Sequence, residues 1–119
     1  MGFLNLFGGG TPAEKAQKLK SKATQKYGDA ATRQKALHQL SELAHPDAVP
    51  VLMQRFTFVV DPQTTDAEEK QHVFQAICDL EEAAVEPVKT FLVKSDAASS
   101  WALRILDAIL PPEGVMEIV

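Results

Sequence analysis

The sequence is poor in the residues that mark a secreted or membrane-spanning protein. Cys78 is the only cysteine, so no disulfide can form within the chain, which fits a reducing compartment. It lies in an apolar helical pattern, which favours a small buried hydrophobe over a nucleophile. No apolar run has the length of a bilayer span, and the first residues lack the basic segment and long apolar core of a secretory signal. We therefore expect a cytoplasmic protein.

The motifs of common catalytic sites are also missing. The chain contains no phosphate-cradling glycine loop, nucleophile elbow or zinc pattern. His38, Glu42 and His45 share a helix face at spacings of 4 and 3, which resembles metal-ligand spacing only loosely. Four acidic residues lie close together in the sequence: Asp79, Glu81, Glu82 and Glu86. No apolar pocket that could shift their pKa values is evident, so we predict that they form a solvated face and not a general acid–base pair. We predict a non-enzymatic protein with no metal or cofactor.

Charge is divided unevenly along the 119 residues. Residues 1–35 contain seven basic and two acidic side chains, a net charge of +5, whereas residues 36–119 contain five basic and fourteen acidic ones, a net charge of −9. The acidic body should repel both nucleic acid phosphates and anionic lipid, and it argues against nucleic acid as the partner. The basic N-terminal segment is predicted to be a solvated cap on the first repeat, with a nucleic-acid surface as the alternative. Its charge could also attract anionic lipid or the acidic body itself.

Capping and stop signals divide the chain into helices. Thr11-Pro12-Ala13-Glu14 predicts a capping box at the start of the first helix, and Asp29 and Asp66 are predicted to cap later ones. Pro46 should end one helix and open the next, while Ala83-Ala84 is the softer second turn. A cap at Ser95-Asp96 should open the last complete helix, which ends near Leu110. The other predicted helices cover residues 12–27, 30–44, 47–59, 66–82 and 85–94.

The apolar pattern repeats along the chain at offsets of 37 and then 29 residues. The first copy is Ala36, Leu37, Leu40 and Leu43. The second is Val73, Phe74, Ile77 and Leu80. The third is Ala102, Leu103, Leu106 and Ile109. One helical hairpin per period is typical of an α-solenoid, in which each unit covers the apolar face of its neighbour.

Residues 36–52 read Ala-Leu-x-x-Leu-x-x-Leu-x-x-Pro-Asp-Ala-Val-Pro-x-Leu, which resembles the HEAT-like repeats of bacterial proteins. The resemblance extends over residues 29–119. It implies an all-α, right-handed α-α superhelix of about three antiparallel helix pairs, preceded by a capping helix, with a groove lined by the second helix of each pair. That groove would bind a protein partner through side chains turned away from the apolar stripes: Gln54, Arg55, Lys89, Thr90 and Lys94. A HEAT-like enzyme such as a bilin lyase is the lesser alternative.

The two ends of the chain add a second hypothesis. Residues 1–10 form an apolar, glycine-rich tail ahead of the 11–119 repeat domain, and Phe3, Leu4, Leu6 and Phe7 could either pack on that domain or anchor the chain to a membrane interface or a partner. The alternative function is thus a peripheral membrane or complex-assembly protein. The last repeat is incomplete at Val119, so its apolar edge is expected either to continue in a longer chain or to dock on another subunit, including a second copy.

Overall fold

The first helix, α1, begins where the sequence predicts and ends earlier. The computed structural model describes residues 10–95 and 98–110. Within it, α1 spans Pro12–Ala23, and the Thr11 hydroxyl accepts the Glu14 backbone N–H while the Glu14 carboxylate accepts the Thr11 N–H. The Thr24 N–H and hydroxyl both donate to the Lys20 carbonyl and close the helix there, instead of near residue 27. Tyr27 therefore lies outside the helix and is 91% exposed.

All regular secondary structure in the described part of the chain is helical, which confirms the all-α prediction. Five more α-helices follow α1: α2 (Ala30–Leu43), α3 (Val49–Gln54), α4 (Gln63–Cys78), α5 (Val85–Lys94) and α6 (Ser99–Ile109). Short 3-10 helices, at Pro46–Ala48, Arg55–Thr57 and Glu81–Ala84, adjoin the second helices of the hairpins. The right-handed superhelix implied by the HEAT resemblance stays a prediction.

The helices pack in two layers, and the chain alternates between them. One layer contains α1, α3 and α5, in which α3 contacts both of its neighbours; the other contains α2, α4 and α6, in which α4 does so. Apolar side chains from both layers meet in one core, whose fully buried aliphatic members include Leu37, Leu40, Val49, Leu52, Met53, Val73, Ile77, Val88, Ile105 and Leu106. Each such side chain stabilises the fold by roughly 1.5–3 kcal/mol.

An aromatic cluster joins α6 to the two preceding hairpins, α2–α3 and α4–α5. Trp101 of α6 stacks on Phe56, with ring centroids 4.7 Å apart, and meets the edge of Phe74 of α4 at 6.0 Å. Arg104 lies over the Trp101 ring, with its guanidinium carbon 4.8 Å from the indole centroid. Leu103, predicted to point inward, is instead 46% exposed, and Ile105 takes the buried position on α6.

The two complete hairpins repeat the same backbone features at the 37-residue offset found in the sequence. Ala44 follows α2 with φ of 47°, and Glu81 follows α4 with φ of 54°. Pro50 and Pro87 are also 37 residues apart, and each lies in the first turn of its helix, where few backbone hydrogen bonds are lost. A left-handed residue thus lies between the two helices of each pair, and a proline lies near the start of the second.

Three predicted boundaries are wrong for identifiable reasons. α4 begins at Gln63 with Pro62 as its cap residue, because the Asp66 side chain is used in buried contacts inside the helix. The second turn lies at residues 79–80, and Ala84, placed in the turn by the sequence, belongs to a 3-10 helix that leads into α5. The α6 cap position is Ala98, without a side-chain bond. The predicted tail anchor and the incomplete last hairpin lie outside the described residues.

The left-handed geometry of Ala44 gives a testable expectation. A residue with a Cβ loses roughly 1–2 kcal/mol in this conformation, whereas glycine does not. Ala44→Gly should therefore raise the free energy of unfolding by about 0.5–1 kcal/mol, measured by urea denaturation. Ala67→Gly is the matched control, because Ala67 is exposed in the interior of α4. It should lower the stability by about 0.5–1 kcal/mol; a loss of stability in both variants would contradict the left-handed geometry at Ala44.

Candidate functional site

Two buried arginines converge on one carboxylate near the α2–α4 contact. Arg33 of α2 donates from Nε to Glu69 Oε1 at 2.6 Å and from Nη2 to Oε2 at 2.8 Å, which makes a bidentate pair. Arg55, just after α3, donates from Nε to the same Oε1 at 2.9 Å. Gln34 donates its amide to Oε2 at 2.9 Å. Glu69 thereby joins elements that lie 36 and 14 residues away in the chain.

Asp66 extends this ionic network by one turn of α4. Its Oδ1 accepts from Arg55 Nη2 at 2.8 Å and from the Val60 N–H at 3.1 Å, and Lys70 Nζ lies 2.9 Å from its Oδ2. The Nη1 atoms donate to backbone carbonyls, Arg33 to Gln25 and Arg55 to Phe58. Within the described ranges, no buried side-chain nitrogen or oxygen lacks a hydrogen-bond partner. Complete pairing of this kind is what lets charges stay buried.

The network keeps its carboxylates ionised. Burial by itself raises the pKa of Glu69, but the hydrogen bonds from Arg33, Gln34 and Arg55 outweigh it, so that its pKa lies below the usual value. Burial likewise opposes ionisation of Asp66, and the hydrogen bonds from Lys70, Arg55 and the Val60 N–H lower its pKa overall. The hydrogen bond with Glu69 raises the pKa of Arg33 in turn.

Arg55 is the predicted partner-binding residue whose placement changes most. The sequence places it on the outer side of the second helix, but its side chain is 0% exposed and is held by Glu69, Asp66 and the Phe58 carbonyl. A buried guanidinium needs this set of acceptors, and two of them come from the first turns of α4, a helix that the sequence pattern starts too late. Arg55 therefore stabilises the fold and does not line an open surface.

A groove beside the second helices crosses the α1–α3–α5 layer, and it encloses about 490 Å³. Pro50, Pro87 and the buried Phe91 form its apolar part. Its remaining lining residues come from α1 (Ala13 and Gln17), from the turn before α3 (Pro46 and Asp47) and from α5 (Glu86, Thr90 and Lys94). Regular local structure supports the three helices that line the groove. A capping box begins α1, and a proline lies in the first turn of α3 and of α5.

The groove carries opposite charges at its two ends. Asp47 and Glu86 precede or begin the second helices, while Lys94 is the last residue of α5. Eight residues of α-helix separate Glu86 from Lys94, which is about 12 Å along the axis. The groove can therefore accept an apolar segment and fix its direction through one basic and one acidic side chain.

The structure brings only part of the predicted site together. Thr90 and Lys94 line the groove. Gln54 is half-buried at the end of α3, where its carbonyl accepts the Thr57 hydroxyl at 2.6 Å, and Lys89 lies 3.6 Å from Glu86. The prolines and Phe91 were missed as site residues, although the equal spacing of Pro50 and Pro87 with the repeat is a signal that the sequence contains.

A second, smaller cleft lies between α2 and α4, beside the ionic network. It encloses about 250 Å³ and includes His38, His72 and Glu68. The Ser41 hydroxyl donates to the Leu37 carbonyl, so at 2.9 Å from His72 Nε2 it is placed to accept the imidazole N–H. The histidine rings lie 6.0 Å apart.

The residues that the sequence grouped as loosely metal-like take separate positions. His38 Nε2 is 3.8 Å from Glu42, but His45 Nδ1 accepts the Asp47 N–H and caps the 3-10 helix. Among the residues described, no three His, Cys, Asp or Glu side chains are grouped so as to hold a metal ion. The half-buried Cys78 packs against the core, and burial, followed by the charge of Asp79, raises the pKa of its thiol. A raised pKa disfavours the reactive thiolate.

Comparisons with known proteins do not assign the chain to a family, so it is classified by its fold alone. No protein-family model, curated protein or solved structure matches it. Nor does any helix in the described ranges have the length and apolar character needed to cross a bilayer. The molecule is thus a two-layered all-α protein with a groove across one layer, and the HEAT resemblance remains an expectation from residues 36–52.

Replacing Glu69 tests the importance of the ionic network. Glu69→Gln keeps the size of the side chain but leaves Arg33 and Arg55 buried without their shared carboxylate, so the free energy of unfolding should fall by about 3–5 kcal/mol at neutral pH. Urea denaturation followed by far-UV circular dichroism measures this. Glu68→Gln is the control, because Glu68 is exposed on the same helix and should change stability by less than about 0.5 kcal/mol. Equal losses of unfolding free energy in Glu69→Gln and Glu68→Gln would contradict a particular role of the Glu69 carboxylate.

The lowered pKa values of Glu69 and Asp66 predict a stability loss in acid. A carboxylate whose pKa is lower in the folded state contributes its full stabilisation above its unfolded pKa, about 4, and loses it as pH falls through the folded value. The wild-type free energy of unfolding should therefore fall steeply below about pH 4. The gap between wild type and Glu69→Gln should narrow over the same range. A gap that stays constant down to the acid transition would contradict ionisation of Glu69 as the source.

Proposed function

We propose that this chain is a non-catalytic protein-interaction module, which binds an extended segment of a partner protein in the groove across the α1–α3–α5 layer. The observation that carries the proposal is the composition of the groove. An apolar floor of Pro50, Pro87 and Phe91 lies between acidic side chains at one end and Lys94 at the other. Peptide-binding grooves commonly combine an apolar floor with a few polar groups that set direction.

The dimensions of the groove indicate the kind of segment that it would hold. The 12 Å or so between Glu86 and Lys94 corresponds to about four residues of extended chain. The favoured segment has a Lys or Arg facing Asp47 and Glu86, apolar residues over the prolines, and an Asp or Glu about four positions away facing Lys94. The reversed arrangement would place like charges together at both ends, which costs affinity.

Rigidity of the groove supports this role. The prolines have fixed φ angles, Phe91 is only 8% exposed, and the α1 wall begins with a complete capping box. A wall that is already ordered loses little conformational entropy when a segment binds. The module would thus bind an extended segment without first having to rearrange its own helices.

A selection from a displayed random-peptide library tests the proposal directly. Peptides enriched on the full chain should lose at least tenfold in affinity for Thr90→Trp, because Thr90 is exposed in the groove and an indole there would occupy the apolar floor. Thr64→Trp is the matched control, since Thr64 is exposed in the first turn of α4 and does not line the groove. Fluorescence anisotropy of a labelled peptide provides the affinities. Peptides that bind wild type and Thr90→Trp equally would exclude the groove as the binding site.

Charge reversal tests the direction of the bound segment. Lys94→Glu should reverse the preference at the position of the peptide that faces it, from acidic to basic, and leave the preference opposite Asp47 unchanged. The measurement is a comparison of the enriched sequences, and of the affinities of one peptide with Glu, Gln or Lys at that position. Lys35→Glu, on the exposed side of α2, is the charge control. An unchanged preference in Lys94→Glu would contradict the assigned polarity of the groove.

A further inference from the structure

The lysines of α1 form a stripe on one flank of the helix. Lys15, Lys18 and Lys22 follow one another at spacings of three and four, which places them on a common side of an α-helix. Lys18 and Lys22 are exposed, and Lys15 is partly so. Ala13 and Gln17, which line the groove, lie on the opposite flank of the same helix. The stripe is therefore separate from the proposed peptide site.

No carboxylate neutralises this stripe within the described part of the chain. The ion pairs found there involve Arg33, Arg55, Lys70, Lys89 and histidines, but none of the α1 lysines. The one acidic residue of α1, Glu14, is engaged in the capping box. The stripe thus presents a concentrated positive charge on a molecule whose remaining part, residues 36–119, has a net charge of −9.

An exposed aromatic and an exposed aliphatic side chain lie beyond the C-terminal end of the stripe. Tyr27 is 91% exposed, and Lys26 Nζ lies 5.2 Å from the centre of its ring. Val59, which is 56% exposed, lines the same shallow pocket as Lys26 and Tyr27. Together with Lys15, Lys18 and Lys22, these three residues define what we call the basic face.

We propose that the basic face docks on an anionic lipid surface, with the lysines among the headgroups and Tyr27 and Val59 at the interface. Lysines near an anionic leaflet contribute favourable energy additively, and tyrosine prefers the boundary between headgroups and acyl chains. The exposed Val59 favours lipid over nucleic acid, because its aliphatic side chain suits the acyl-chain boundary and cannot stack on bases.

The distribution of charge would also orient the molecule on the membrane. The acidic part is repelled by the anionic surface, whereas the stripe is attracted to it, so the molecule would bind with α1 toward the lipid. Because Ala13 and Gln17 lie on the other flank of α1, the groove would stay open to a protein partner. Lipid and peptide binding are thus expected to be compatible, and neither requires the other.

Co-sedimentation of the full chain with vesicles tests the inference. Binding is expected to vesicles that mix phosphatidylserine with phosphatidylcholine, and to weaken when salt is added, but not to vesicles of phosphatidylcholine alone. The triple variant Lys15→Gln, Lys18→Gln and Lys22→Gln should bind the anionic vesicles roughly a hundredfold less tightly. Tyr27→Ser alone should weaken vesicle binding severalfold, because it removes the aromatic ring from the interface.

A matched control separates the basic face from net charge. Lys35→Gln, Lys89→Gln and Lys94→Gln remove the same charge from other surfaces and should change vesicle binding by only a few fold. Equal loss in the two triple variants would overturn the assignment to α1. Binding to a random DNA duplex or single-stranded RNA without binding to anionic vesicles would overturn the choice of lipid and identify nucleic acid as the partner. Absence of binding to all three would also refute the inference.

Discussion

The fold depends on the shared carboxylate of Glu69. Two buried guanidinium groups approach it from different helical elements. Arg55 also pairs with Asp66, whereas Arg33 pairs with Glu69, and an unpaired charge in the interior costs several kcal/mol. Other members of the network hold the neighbouring loops. Arg33 and Arg55 donate to the Gln25 and Phe58 carbonyls, and Asp66 accepts the Val60 N–H. Apolar burial supplies most of the driving force for folding, but this network specifies how α2, the end of α3 and α4 are placed together.

The surface has two separate regions that differ in composition, an apolar groove and a lysine stripe. On one side, the prolines and Phe91 form the apolar part of a groove that charged side chains also line. On the other flank of α1, the lysine stripe has no acidic counterpart within the described residues. Both regions include residues of α1, a helix with few large apolar side chains. Its buried line consists mainly of Ala16 and Ala23, and small residues let it lie close against α2 and α3.

Much of the helical pattern was predictable because it depends on local rules. The capping box at Thr11, the stop at Pro46 and the apolar spacing of Leu37 and Leu40 each involve residues a few positions apart. The boundaries that were missed depend on distant partners. Asp66 is a residue type that often caps helices, yet its carboxylate instead accepts hydrogen bonds from Arg55 and the Val60 N–H, and α4 begins three residues earlier.

The candidate site shows the same division. The sequence identifies Thr90 and Lys94 as outward-facing residues of a second helix, and the structure places both in the groove. It cannot tell that Arg55 turns inward, since an arginine is normally exposed and only the position of Glu69 reverses that preference.

By itself, the sequence determined the all-α class, the 37-residue repeat and the division of charge, because periodicity, turn residues and composition act locally or in sum. Only the tertiary structure decided which charges are buried, which prolines line one groove and which lysines of α1 form no ion pair with the described residues. Those properties depend on packing between residues far apart in the chain, where a few hydrogen bonds at 2.6–2.9 Å outweigh the local preferences of the side chains that make them.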